Sequence, residues 1–216
     1  ETVLKFEEAI NNAIKKSFEK KAIIEEFIEG EEVSVESISW NNTHLPLSIT
    51  DKVTTGAPYF VELEHHQPSK HEQNIQEKII NSTKAALIKL GIANGASHAE
   101  FKINDKGDVY LIEIGARMGG DFIGSHLVEL STGFDFLKAA VNVALNDFTL
   151  PKSVTAKKSA GVYFLSKETA HLLPVFQKEN QFEVEKSIQN NELLNITNSN
   201  DRSGYLIYRA DEKIIL

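Results

Sequence analysis

Two glutamates joined by a tight turn are the best placed groups for chemistry on this chain. Glu100 lies in the run 97–103 and Glu113 in the run 109–114, with Asn104-Asp105-Lys106-Gly107 between them. That pattern predicts a β-hairpin with the two carboxylates side by side on one face. Like charges in that position destabilise a sheet unless a cation or a proton lies between them. Magnesium suits the pair, being a hard ion held through one or two carboxylates together with substrate phosphates. Taken alone, the pair reads equally well as two solvated glutamates. The neighbours favour the metal: His98 shares the face of Glu100 by the two-residue period, and Gly115-Ala116-Arg117 follows Glu113. A guanidinium beside a metal is what an anionic phosphoryl group would need.

The elements that must carry these groups follow from periodicity. Phe6, Ala9, Ile10, Ala13, Ile14 and Phe18 recur at helical spacing, predicting an amphipathic helix over 2–19. Residues 22–27 read as a strand and residues 29–32 as its break, followed by strands at 33–40, 45–50 and 59–65 with a loop at 51–58. Ser69 and Glu72 have the spacing of a capping box. Behind them Ile75, Ile79, Ile80, Leu87 and Leu90 form the stripe of a helix that Gly91 ends in a left-handed cap. Residues 115–124 carry four of the 12 glycines, and helices are expected at 125–131 and 134–146. Gly119-Gly120 reads as a turn, or as a place where backbone can approach a bound anion. Pro151 divides the chain into 1–150 and a small β-rich C-terminal subdomain, 151–216, with short strands at 161–165, 182–186 and 205–209. The segment 198–204 reads as a surface loop without a catalytic role, and Asp51 and Glu64 as solvated acids. For His65, His66 and His71 the plain alternative is a surface position or an adventitious zinc cluster.

Composition limits the classes. At 216 residues the chain has room for one large domain, and 41% hydrophobic with 25% charged residues excludes disordered and fibrous classes. A net charge of -8, from 23 basic against 31 acidic residues, argues against a duplex-binding protein and suits one that holds cations. With no cysteine, thiol nucleophiles, disulfides and Cys-based metal sites are excluded. The chain begins with Glu1 and its single methionine is Met118, from which a piece of a longer protein is expected. Phosphate-loop, dinucleotide-binding, nucleophile-elbow and H-E-x-x-H signatures are absent from the sequence.

Glu113-Ile114-Gly115-Ala116-Arg117-Met118-Gly119-Gly120, preceded by the strand with Glu100 and followed by residues 126–136, resembles the C-terminal half of an ATP-grasp domain, closest to the amino-acid ligase branch. The resemblance implies an α+β ATP-grasp fold, an antiparallel sheet flanked by helices. It also implies magnesium, or manganese, on Glu100 and Glu113, and an acyl phosphate on Arg117. Many members have Asn where this chain has Gly115, a change that the ligase branch tolerates. Residues 24–32 are similar to the family's hinge, which implies Glu25 on the adenine amino group, the Phe27–Ile28 backbone along the ring and Glu32 on the ribose. Residues 51–65 resemble the loop and strand that bring Lys52 to the ATP phosphates. By the same likeness Glu62 and His65 line an amino-acid pocket, with Glu62 anchoring the ammonium; His98, on the face of Glu100, is expected in the nucleotide-binding set.

The activity implied is ATP-dependent carboxylate–amine ligation through an acyl phosphate, joining amino acids. Small-molecule carboxylates and amines are the expected partners, with ATP and Mg2+ as cofactors. Neither nucleic acid nor membrane is expected, a homodimer is admitted, and the location is cytoplasmic. A carbamoyl-phosphate-synthase-like or biotin-carboxylase-like ligase acting on another acid is the alternative, as is a non-catalytic nucleotide-binding module. The resemblance further implies a preceding region with a glycine-rich strand pair and a phosphate-binding lysine, without which the chain alone is inactive.

Overall fold

Alternation along the strands decides where the core and the site lie. In β1 (Glu31–Trp40), Val33 and Val35 join Ile49 of β2 (Thr43–Thr54) and Phe101 and Ile103 of β4 (Gly95–Ile103) in one buried cluster. Glu32, Ser34 and Glu36 fall on the opposite face by the two-residue period. Helix α2 (Gln73–Lys89) covers the apolar face with Ile79, Thr83 and Leu87, spaced four apart and all buried. Past a bulge between Glu36 and Ser37, Ile38 belongs to a second cluster with Leu47, Val128, Phe136 and Ala139.

The computed structural model describes residues 2–190 and 192–216, of which residues 2–4 by backbone alone. The other strands are β3 (Glu62–Gln67), β5 (Val109–Gly115), β6 (Ser159–Leu165), β7 (Glu183–Ile188) and β8 (Gly204–Ala210). All eight strands of the described residues form a single sheet in the order β5-β4-β1-β2-β3-β6-β8-β7, each neighbour pair antiparallel. The helices are α1 (Thr2–Lys16), α2, α3 (Val128–Thr132, entered through a π-helical turn at Ile123–Leu127), α4 (Phe136–Ala144) and α5 (Leu173–Phe176). This is the α+β arrangement expected. The strands beyond Pro151 are present and extend the same sheet through the β3–β6 ladder, where His66 faces Gly161. Among the described residues no helix is long and apolar enough to cross a membrane.

Several local expectations are corrected. Residues 22–27 form no strand: their backbone has no ladder partner among the described residues, and Ile23, Ile24 and Phe27 are exposed. The loop expected from residue 51 starts later, because β2 stays paired through Thr54 with Glu62 of β3. Phe60, at φ 49, belongs to the turn before β3 and not to the strand. Ser69 and Glu72 make no capping box. Ser69 Oγ donates to Asp51 Oδ1 at 2.5 Å, and Glu72 caps α2 without a side-chain bond. Asp51 is therefore buried, not solvated, and also accepts from Lys70 N at 2.9 Å. Leu90 lies outside the buried stripe, being exposed. The helix end is as expected, with Gly91 at φ 69 and Ile92 N donating to Leu87 O at 3.1 Å in a Schellman arrangement.

Candidate active site

Six of the expected residues, Lys52, Glu62, His65, His98, Glu100 and Arg117, line one cleft of about 490 Å3 on the polar face of the sheet. The strand register puts them there. Lys52 of β2 lies between Glu32 of β1 and His65 of β3, and on β4 His98 faces Glu36 and Glu100 faces Ser34.

The charges form a connected lattice. Lys52 Nζ lies 2.5 Å from Glu32, 2.9 Å from Glu100 and 3.5 Å from Glu62, and Lys102 Nζ lies 3.2 Å from Glu32. Burial opposes the Lys52 charge, but Glu100 and Glu32 outweigh it and push the ammonium pKa up. His98 is hydrogen-bonded through Nδ1 to Glu36 and through Nε2 to Glu100 Oε1 at 3.1 Å. Burial alone would drive its pKa down, yet the bonds to Glu100 and Glu36 raise it to about 9, so an imidazolium donates from both nitrogens at neutral pH. The His98 bond, helped by Lys52 and opposed by burial, lowers Glu100 to about 2.

A pH dependence follows. The His98 contribution to stability is complete below its ordinary 6.5 and disappears as pH rises through about 9. The Glu100 contribution is complete above its ordinary 4.5 and disappears as pH falls through about 2. Without nucleotide or metal, the chain is expected to lose melting temperature steadily from pH 6.5 to 9, and His98→Gln is expected to flatten that slope. The same slope in His98→Gln would contradict the assignment.

Glu100 and Glu113 are cross-strand partners, as expected, beside a bulge between Glu100 and Phe101. Their carboxylates have different partners: Glu100 is bonded to His98 and Lys52, while Glu113 is exposed and lies 4.0 Å from Arg117 Nη2. Among the described residues no three His, Asp or Glu side chains come close enough to hold an ion unaided. Two hard carboxylates at one edge would fit magnesium with water and phosphate oxygens completing its shell. Arg117 is exposed, with Nη1 donating to the Met118 carbonyl at 2.9 Å.

The hinge residues lie beside this cleft rather than in it. Glu25, Phe27 and Ile28 border a hollow of about 310 Å3 with Lys102, Leu111 and Ile112. Glu32 borders an adjoining cleft with Lys52 and Lys102. His65 and His66 are both 1% exposed, which excludes the surface reading. Burial keeps the His65 pKa low against the pull of Asp121, and its Nδ1 has no hydrogen-bond partner among the described residues. Glu64 is also no free acid, lying 2.8 Å from His66 Nε2.

Three residues bonded to the side chains of the cleft escaped the sequence reading. Glu36 is fully buried, and its second oxygen accepts from Gly119 N at 3.0 Å. The anion approached by the glycine backbone is thus a side chain of this same chain. Period-two alternation from Glu32 was the signal that could have found it. Asp121 and Arg202 pair at 2.9 Å across 81 residues of sequence, with no local signal to mark either. A β-carbon on Gly119 would overlap Glu36 and His98, whereas at Gly120 it meets open space. Gly119→Ala is therefore expected to cost about 1–3 kcal/mol in urea unfolding. Gly120→Ala is expected to stay within about 0.5 kcal/mol of the parent, and equal effects would contradict this packing.

Residues 2–125 match the ATP-grasp domain family. Alanine–anticapsin ligase of Bacillus subtilis is 29% identical over 178 residues, covering 76% of this chain and 36% of that protein. Carnosine synthase 1 of Homo sapiens is 30% identical over 122 residues, covering 56% of this chain and 14% of that protein. The chain thus spans roughly a third or less of the length of these relatives. Among solved structures, an L-amino acid ligase from Bacillus licheniformis superposes with a TM-score of 0.71 at 23% identity, over 86% of this chain and 50% of that one. The biotin carboxylase domain of 2-oxoglutarate carboxylase from Hydrogenobacter thermophilus gives a TM-score of 0.72 at 18% identity, over 97% of this chain and 48% of that one. These two likenesses carry the fold. The family match reaches from the hinge through the Glu100–Glu113 hairpin and Arg117, and the chain belongs to the ATP-grasp domain family.

Proposed function

We propose that this chain is a fragment of an ATP-dependent carboxylate–amine ligase, holding the C-terminal portion of its ATP-grasp domain, and that the ligase joins amino acids through an acyl phosphate. The observation that carries this reading is the cleft in which Lys52, Glu62, His65, His98, Glu100 and Arg117 converge from four separate stretches of chain. Ligases among the relatives of this chain support the same class. Residues 1–150 would supply the ATP-grasp portion, and 151–216 a C-terminal part that closes the cleft.

In this reading Glu100 and Glu113 hold magnesium, which when bound neutralises phosphate charge. His98 keeps Glu100 ionised and aimed. Lys52, held by Glu32 and Glu100 at the cleft wall, would supply positive charge to the phosphates. The free Phe27–Ile28 backbone takes the adenine edge, Glu25 its amino group, and Glu32 the ribose hydroxyls. Arg117 binds the phosphoryl oxygens where negative charge develops. Glu62 and His65 hold the amino-acid amine. Attack on the acyl phosphate requires the amine to lose a proton, and neutral His65, which borders the cleft, is the acceptor in this reading.

Hydroxylamine tests this chemistry, because it intercepts acyl phosphates as stable hydroxamates. With the protein at full length, ATP, magnesium and an amino acid, hydroxamate is expected, and none without ATP. ATP consumption without hydroxamate for any amino acid or other carboxylate would overturn the acyl-phosphate route.

A further inference from the structure

Arg202 has no role in the scheme above, yet its guanidinium is tightly engaged, with the side chain 8% exposed. Nη2 donates to Glu62 Oε2 at 3.0 Å, Nη1 to Asp121 Oδ2 at 2.9 Å, and Nε to the Glu62 carbonyl at 3.1 Å. The guanidinium lies over the Phe164 ring at 3.8 Å. Its loop is built to hold still. Asn198 and Asp201 cap each other across one turn, and Ser203 N donates to Leu165 O at 2.6 Å while Ser203 Oγ donates to Glu192 O at 3.1 Å. On the opposite wall Asp121 and Phe122 both sit at positive φ, 48 and 67. Consecutive left-handed residues bearing side chains are strained and persist where the surroundings hold them.

We propose that Arg202 is the positioning residue of the amine end of the cleft, forking between Glu62 and Asp121 so that the two carboxylates act as one clamp for a substrate ammonium. The inference rests on the ligase reading and adds to it a residue from the C-terminal loop and a second acid. Glu62 and Asp121 both border the main cleft, so one ligand there can meet both. Two neighbouring carboxylates repel, and without a cation one of them takes a proton. A guanidinium between them offsets their repulsion and fixes their directions through its planar fork. The charges at this end are Glu62 and Asp121 against Arg202, with His65 neutral by burial. Lys52, 3.5 Å from Glu62, is already matched by Glu32 and Glu100. One negative charge is left over, the complement of one ammonium. Burial alone would raise Asp121, but the His65 and Arg202 contacts prevail and hold it at about 2.

The test uses the protein at full length, with Michaelis constants measured separately for ATP and for the amino acid that gives the highest turnover. Arg202→Met is expected to raise the amino-acid KM by about tenfold or more, the loss of a charge-assisted hydrogen bond, while the ATP KM moves less than threefold. Arg202→Lys should recover part of that loss, and millimolar guanidinium chloride should recover part of it in Arg202→Gly. An equal rise in both constants, or a lower melting temperature with the amino-acid KM unchanged, would mean that Arg202 merely anchors its loop and would overturn the proposal. If Arg202→Met does not fold, Asp121→Asn cuts the fork on one side only, and an amino-acid KM unchanged there overturns the proposal equally. A second readout needs no turnover. Carboxyl-carbon NMR should find Asp121 titrating near 2 in the parent and clearly higher in Arg202→Met. Unchanged titration overturns the fork, whereas a shifted titration in a protein that uses no ATP would count against the ligase reading and leave the fork standing.

Discussion

Arg117→Ala in the full-length protein is expected to reduce turnover by about 10³-fold with little change in the KM for ATP, the scale of losing a guanidinium that meets charge developing in phosphoryl transfer. The geometry gives the reason. Arg117 lies at the cleft mouth, its side chain 56% exposed, held by one bond to the Met118 carbonyl and a 4.0 Å approach to Glu113. Neither contact saturates the fork, so most of its donors are available to a phosphoryl group. Because the interaction is strongest in the transition state, the loss appears in kcat rather than in ATP binding. Arg117→Lys keeps the charge and loses the fork, and is expected to recover only part of the rate. Steady-state phosphate release checks this, and turnover of Arg117→Ala within tenfold of the parent would contradict the role.

Glu36→Ala is expected to cost about 3–5 kcal/mol of stability, the scale of removing one partner from a buried ion pair. Glu36 is 0% exposed, and its carboxylate satisfies both His98 Nδ1 and Gly119 N. Without it an imidazolium would be left in the sheet with Glu100 alone. Glu36→Gln keeps the volume and one acceptor oxygen, so its cost should be smaller. The loss should also shrink as pH rises past about 9, where His98 gives up its proton in the parent. Urea unfolding at pH 7 and above pH 9 measures both effects. A cost below about 1 kcal/mol at pH 7, the range of surface positions, would show that the pair does not support the sheet.

The parts of this site that could be read in advance are those fixed by short sequence distances. The hairpin turn at Asn104–Gly107 set the strands of Glu100 and Glu113 opposite each other, and the structure pairs those two residues. Period-two alternation put His98 with Glu100, and the two are bonded. Polarity alone misled at Asp51, whose burial comes from Ser69 and Lys70 on the far side of a turn. Residues 22–27 have the composition of a strand, but a strand needs a partner ladder, and none is offered there among the described residues. Arg202 and Glu62 stand 140 residues apart and meet only because β8 joins the sheet beside β6, a pairing that no local pattern encodes. The two carboxylates of the hairpin show the limit of register: it brought the backbones together, but the side chains followed the nearest cations.

Phosphate release by the full-length protein, measured with ATP and magnesium across a panel of amino acids and compared with Glu113→Gln, tests the central claim most directly. The expected result is release that depends on both magnesium and an amino acid and is abolished in Glu113→Gln. Release that no amino acid stimulates, or turnover unchanged in Glu113→Gln, would contradict it.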